Sequence, residues 1–446
     1  MYEAMSEPPD VIAYFENRNK KRLRKFLYGG NNGAYKHLYK KLYKYPWPEE
    51  RQIPHHYSHA CAGYFTSTFE NATIVVIDAI GEFETATVWD AEGSNIAKRQ
   101  SLTFPISYGL FYSAFTQLVG LKPGEDEYIL MGMAAYGDPM RHMDSMKRHF
   151  SSWNRQSYNF HRGIKASDIG LDIKTEQDKY DVAATAQNIY EQRLQEFMLR
   201  VRASSKSKNL VFMGGCALNC AANTKLLGIW DHVWIMPNPG DAGSSLGAAL
   251  AVHGQHVRWR GPYLGHSISD NWPIDSAFQH LKNTGIVAVA AQRAEFGPRA
   301  LGNRSLLANP CDPTMKDRVN EIKKRQKFRP FAPVIMEEHV SDWFELDRPA
   351  PYMQYAVKAK HPEAMPAVVH ADGTARVQTV NPYQHFELYE LLSRWYEHTG
   401  VPVLLNTSLN IKGQPIVNDI DDIVKWAKMY PNVPIAGYSK QEQHNG

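Results

Sequence analysis

The apolar residues of this chain fall into short unbroken runs and helically spaced stripes, and the two kinds alternate. Thr73-Ile74-Val75-Val76-Ile77 is rich in β-branched residues and predicts a buried strand over 72–78 that ends at Asp78. A turn over 81–85 and a partner strand over 86–90 follow. Residues 104–119 predict a helix. Ala183, Ala186, Tyr190, Leu194, Phe197 and Val201 keep the spacing of one long amphipathic helix. Then come a strand over 210–213, a Gly214-Gly215 loop with a small-residue helix opening at Cys216, a strand over 231–236, and a Gly/Ala-rich helix after Asp241. Further on, the pattern predicts a strand over 286–290, a helix over 386–399 closed by Gly400, and a strand over 401–405 that delivers Asn406-Thr407-Ser408. Two basic, tyrosine-striped helices are expected in 20–44, split at 29–33. The polar stretch 138–178 predicts no element. Strands alternating with helices give an α/β (mixed α+β) fold class. The irregular Gly/Pro-rich stretch 253–264 reads as a boundary between domains at 1–255 and 262–446.

Composition narrows the class. At 446 residues, 43% hydrophobic and 22% charged, the chain is an ordinary globular protein with room for two domains. A net charge of +4 gives no general case for nucleic-acid binding. Four cysteines without a paired framework point to a reducing compartment, and the start Met1-Tyr2-Glu3 is no signal peptide. No apolar run approaches the roughly 20 residues needed to span a bilayer. The expectation is a cytoplasmic protein without a membrane segment.

The candidate chemistry begins at His55-His56-Tyr57-Ser58-His59. His55 and His59, four apart, share a helical face, and neutral imidazole ligates iron or zinc. Such a pair alone does not separate a metal site from a packed pair. His56 stands where a zinc protease carries its general-base Glu, so no protease is read here. Asp78 and Asp241 sit at strand ends beside Gly-containing turns, where α/β folds place ligands. Gly214 and Gly215 permit close approach of a phosphate or adenosine. Arg299 and Arg304, five apart in a Gly/Pro loop read as opening a helix, form an anion cradle with Lys323, Arg329 and Arg376.

In order, HHYSHA (55–60), VVIDAIGE (75–82), MGGCALN (213–219), PGDAGSSLGAAL (239–250), EFGPRALGNRS (295–305), FRPFAP (328–333), ARVQTV (375–380) and LLNTSLNIKGQPIV (404–417) resemble the nodulation-type (NodU/CmcH) carbamoyltransferases over nearly the whole chain. The resemblance implies an actin/sugar-kinase-like (ASKHA) domain, N-terminally shortened here, followed by a YrdC-like domain. It implies Fe²⁺ or another divalent transition metal on His55, His59, Asp78 and Asp241. It implies a nucleotide loop at Gly214, Gly215 and Asn219, joined by Asp78 and Asp241. It implies a carbamoyl phosphate and adenylate site of Arg299, Arg329, Arg376 and Asn406, with Arg304, Lys323 and Ser408 as further catalytic groups. The activity implied is carbamoyl transfer from carbamoyl phosphate, with ATP and Mg²⁺, to a hydroxyl or amine of a small molecule, sugar or nucleoside. A tRNA threonylcarbamoyl-type enzyme and a weakened regulatory binder are the alternatives. Relatives usually begin with an opening segment that this sequence does not show, so a second chain supplying it, a truncated product or an altered transfer site are the further expectations. Ile129 stands where relatives typically carry Lys, and Leu409 where they carry Phe.

Overall fold

The computed structural model describes residues 10–17, 19, 20, 22, 23, 49–156, 160 and 163–436, so the two helices expected in 20–44 fall almost wholly outside the described residues. Strand β1 (Val11–Phe15) pairs in parallel with β2 (Glu49–Ile53), which runs through Pro54 into helix α1 (His55–Thr66). The β-branched run forms β3 (Asn71–Gly81), longer than expected, so that Asp78 lies inside the strand. β4 (Glu84–Glu92) and β5 (Asn95–Thr103) follow as antiparallel neighbours. Helix α2 (Tyr108–Leu118) starts where the Ser107 hydroxyl accepts from the Leu110 N–H. Short helix α3 (Glu127–Met133) precedes α4 (Glu176–Ala203), whose first turn is closed by a Thr175/Asp178 capping box.

β6 (Asn209–Met213) and β7 (His232–Trp234) extend the first sheet, in the order β5-β4-β3-β6-β7, antiparallel up to β3 and parallel beyond it. Short helix α5 (Cys220–Thr224) lies between them, and α6 (Ser244–His253) follows. Side chains alternate across a strand. Val75, Ile77, Leu210 and Phe212 therefore face α2 and α4, while Ile74, Val76, Val211 and Met213 face α1 and α6. Asp78 continues the even-numbered set, toward α1. α6 can lie against α1 because Gly247 has no side chain: a methyl there would stand 1.8 Å from the Ser58 carbonyl oxygen.

The chain then reaches α7 (Ile274–Thr284) without a regular helix or strand. A second sheet contains β8 (Ile286–Ala290), β9 (Arg304–Ala308), β10 (Ala332–Met336), β11 (Tyr355–Lys358), β12 (Thr374–Val380), β13 (Val403–Ser408) and β14 (Ile435–Ala436). Their order is β11-β12-β10-β13-β9-β8-β14. β8 and β10 are buried along their whole length, and both faces of the sheet carry cores, as continuous apolar strands require. Helix α8 (Met315–Ile322) packs on one face; α9 (Phe386–Thr399) covers the other and ends at Gly400 in the left-handed conformation. The mixed α/β expectation holds. Two local expectations change. The loop bearing Arg299 leads into strand β9, not a helix, and Asn406 and Ser408 lie within β13 rather than beyond it. No helix among the described residues is long and apolar enough to cross a membrane.

Candidate active site

Four predicted residues from three segments meet at one point. α1 supplies His55 and His59, one turn apart. β3 supplies Asp78 by strand parity. The turn before α6 supplies Asp241, brought close by the Gly247 contact. Their ligating atoms all lie within 4.8 Å of one another. His55 Nε2 stands 3.2 Å from His59 Nε2, 3.3 Å from Asp78 Oδ2 and 3.2 Å from Asp241 Oδ1; His59 Nε2 is 3.3 Å from each carboxylate oxygen. A tetrahedral ion with ligands at about 2.0–2.1 Å has edges of about 3.3–3.4 Å. The donor set and its spacing thus fit a divalent transition metal. Gly81 makes room, since a methyl there would sit 2.3 Å from the His55 ring. His55 and His59 are buried, Asp78 is half-buried, and the Asp241 side chain is 62% exposed, so the cluster is reached from the Asp241 side.

Burial opposes charge on His55, but the carboxylates of Asp241, Asp78 and Glu16 override it and push the imidazole up to about 11. His59 is raised against its burial by the same two aspartates. Both aspartates are in turn held below the usual carboxylate range by the histidines, Asp78 against its burial and Asp241 against a partial loss of hydration on the side facing the cluster. His56 differs: burial and the charge of His55 push it down to about 3, and its Nδ1 meets the Thr87 hydroxyl at 3.0 Å.

Gly214 and Gly215 border this cluster. Gly214 has φ +92°, and a side chain there would collide with the Ile77 carbonyl; a methyl on Gly215 would lie 3.1 Å from Asp78 Oδ1. Asn219 acts locally. Its Oδ1 accepts from the Ala222 N–H to cap α5, and its amide is paired with Gln187.

The second group gathers cations. Burial and the neighbouring Arg376 push Arg299 down to about 9. Arg376 is lowered by burial and by Arg329, and its Nε is buried without a hydrogen-bond partner. Arg329 stacks over the Tyr128 ring at 4.8 Å. Lys323 is pushed down to about 7 by burial, Arg325 and Arg329, while its Nζ donates to the Ser408 carbonyl at 2.5 Å, the Ser408 hydroxyl at 3.2 Å, and Asn410. Asn406 is buried. Its Nδ2 donates to the Ala300 carbonyl (3.0 Å) and to Gln378 Oε1 (2.7 Å), leaving Oδ1 as a buried acceptor without a partner.

Arg304 does not join this group. Its guanidinium is buried and donates to the main-chain carbonyls of Ala291, Asn303, His266, Gln292 and Asn418 at 2.6–3.2 Å. These bonds pin the start of β9 and hold Arg304 away from the catalytic position expected for it. Glu295 works beside it, accepting from the N–H groups of Leu301, Asn303 and Arg304 and so closing the loop that presents Arg299. The sequence reading passes over Glu295 and Gln378, although both are polar residues within the EFGPRALGNRS and ARVQTV motifs. Glu16, 3.2 Å from His55 Nδ1, leaves no sequence signal, because only the β1–β2 pairing brings it there. Cys216 and Cys220 are unpaired, with Cys220 buried beside Arg376 and Arg299.

Similarity to known proteins follows the same two halves. The profile described as Carbamoyltransferase N-terminus matches residues 19–250, and that described as Carbamoyltransferase C-terminus matches 278–431. Nodulation protein NolO of Bradyrhizobium diazoefficiens is 33% identical, with 83% of this chain and 75% of that protein covered. A protein of Synechocystis sp. described as uncharacterized is 33% identical over 82% of this chain and 72% of its own length. Nodulation protein U of Sinorhizobium fredii is 30% identical over 85% and 76%. Among solved structures, full-length HypF in its phosphate- and nucleotide-bound form aligns at a TM-score of 0.30 and 13% identity, over 55% of this chain and 39% of that one, too distant to bear on the site.

Proposed function

Because the chain belongs to the carbamoyltransferase family, we propose that it runs an ATP-dependent carbamoyl transfer in two half-reactions, one in each of two domains at 1–255 and 262–446. The observation that carries this reading is the cationic group, in which Lys323 is buried and Arg299, Arg329 and Arg376 are half-buried. Among the described residues no carboxylate pairs with Arg299, Arg329, Arg376 or Lys323, and burying like charges is unfavourable unless an anion joins them. Carbamoyl phosphate, held by Arg299, Arg329, Arg376 and Asn406, is cleaved by water to carbamate and phosphate. A carbamate oxygen then attacks the α-phosphorus of Mg²⁺-ATP and pyrophosphate leaves, giving carbamoyladenylate. Arginine and Lys323 offset the charge on the phosphates, with Ser408 orienting Lys323.

In the second half-reaction, Gly214-Gly215 allow close approach of the adenylate. An acceptor hydroxyl or amine attacks the carbamoyl carbon, AMP leaves and the acceptor loses a proton. His55, His59, Asp78 and Asp241 would hold a divalent transition metal such as Fe²⁺, which supplies Lewis-acid polarisation of a carbonyl when bound. The unpaired cysteines support a reducing, cytoplasmic setting. The acceptor is a small molecule, sugar or nucleoside. The test is pyrophosphate release from ATP with and without carbamoyl phosphate, followed by mass spectrometry of acceptor mixtures, with unfractionated tRNA as the competing acceptor. Release that depends on carbamoyl phosphate is expected; none from folded protein overturns the reading.

A further inference from the structure

We infer that Glu16 is a positioning residue for the metal cluster, fixing the His55 ring and its tautomer; this rests on the metal reading of the four-residue cluster. Glu16 lies directly after β1, and its backbone N–H donates to the Ile53 carbonyl at 2.9 Å, two residues before His55. Its carboxylate Oε1 stands 3.2 Å from His55 Nδ1. A carboxylate only accepts, so Nδ1 carries a hydrogen, and Nε2, which would give up its own proton to a metal, is turned toward His59, Asp78 and Asp241. Metal-binding histidines commonly show this arrangement, with the second ring nitrogen donating to a carboxylate that orients the ring and raises its basicity.

Two further observations separate Glu16 from a chance neighbour. It has φ +91°, a conformation rare for a residue with a side chain, and that backbone turn accompanies the approach of its carboxylate to α1. The Phe15 ring also meets the His55 ring edge-on, at a centroid distance of 5.9 Å, so the β1 end restrains the imidazole from a second side. Among the described residues His59 has no such carboxylate behind it; Ser244 Oγ stands 3.2 Å from its ring nitrogens. His55 is thus the ligand whose orientation depends on the strand pair preceding α1.

The test is Co²⁺ binding to the full chain, by chelator competition and by the visible spectrum of the bound ion, for wild type, Glu16→Ala and Glu16→Gln. Glu16→Ala is expected to weaken Co²⁺ binding about 10–100-fold and to alter the spectrum. Glu16→Gln, which keeps an acceptor for Nδ1–H, should recover the spectrum and part of the affinity. Thermal unfolding identifies any variant that fails to fold; if only Glu16→Gln folds, its affinity loss decides. Wild-type affinity and spectrum in the folded variants would overturn the role of Glu16 alone. Absence of Co²⁺ binding by the wild type would overturn the metal reading and this inference with it.

Discussion

The Arg304 guanidinium commits both terminal nitrogens to main-chain carbonyls, whereas Arg299, five residues earlier, sits among other cations. Arg304→Ala would strand several buried carbonyls, so a loss of more than about 3 kcal/mol is expected in urea unfolding. Arg299→Ala removes a half-buried like charge and should leave stability unchanged or higher, while lowering kcat/KM for pyrophosphate release at least about 100-fold. Sequence spacing could not separate the two, because it does not show which arginine enters a strand. Lys323 carries the pH dependence. Its folded value near 7 lies below its ordinary 10.5, so between these values the unfolded chain binds more protons than the folded one. Stability therefore rises with pH across this window, the penalty being full below about 7 and gone above about 10.5. Thermal midpoints of wild type minus Lys323→Met, compared at pH 6 and pH 9, should show this rise; a pH-independent difference would contradict it.

Among the elements, the histidine turn, β3, α4, β8 and α9 were legible because their apolar spacing matches what they bury. β5 was not: its residues alternate between exposed and half-exposed at the sheet edge and carry no apolar run. The convergence of Asp241 on α1 was not legible in the spacing and came only with the family resemblance, since it depends on the α1–α6 approach. Gly247 sets that approach. Gly247→Ala should push α6 from α1, displace Asp241, and weaken Co²⁺ binding by at least about tenfold, with a smaller effect on pyrophosphate release. Equal Co²⁺ affinity would show that the helix contact does not position Asp241.

At the scale of the molecule, α5 joins the two sheets. Asn223 Nδ2 donates to the Gln354 carbonyl at 3.1 Å, and the Thr224 hydroxyl donates to the Ala356 carbonyl at 2.8 Å. Tyr136 reaches the Phe328 carbonyl at 3.2 Å, and Arg329 stacks on Tyr128, so side chains from the first half border the cations of the second. Periodicity alone would have left these halves as separate α/β units; the order of the motifs carried the family and the pairing of the sites. If each half performs its own step, the steps separate by mutation. The decisive measurement is carbamoyl-phosphate-dependent pyrophosphate release, without acceptor, in wild type, Arg376→Ala and His59→Ala. Release by wild type, loss of about 100-fold or more in Arg376→Ala, and retained release in His59→Ala are expected. Release by Arg376→Ala at the wild-type rate, or its loss in folded His59→Ala, would contradict this division of steps.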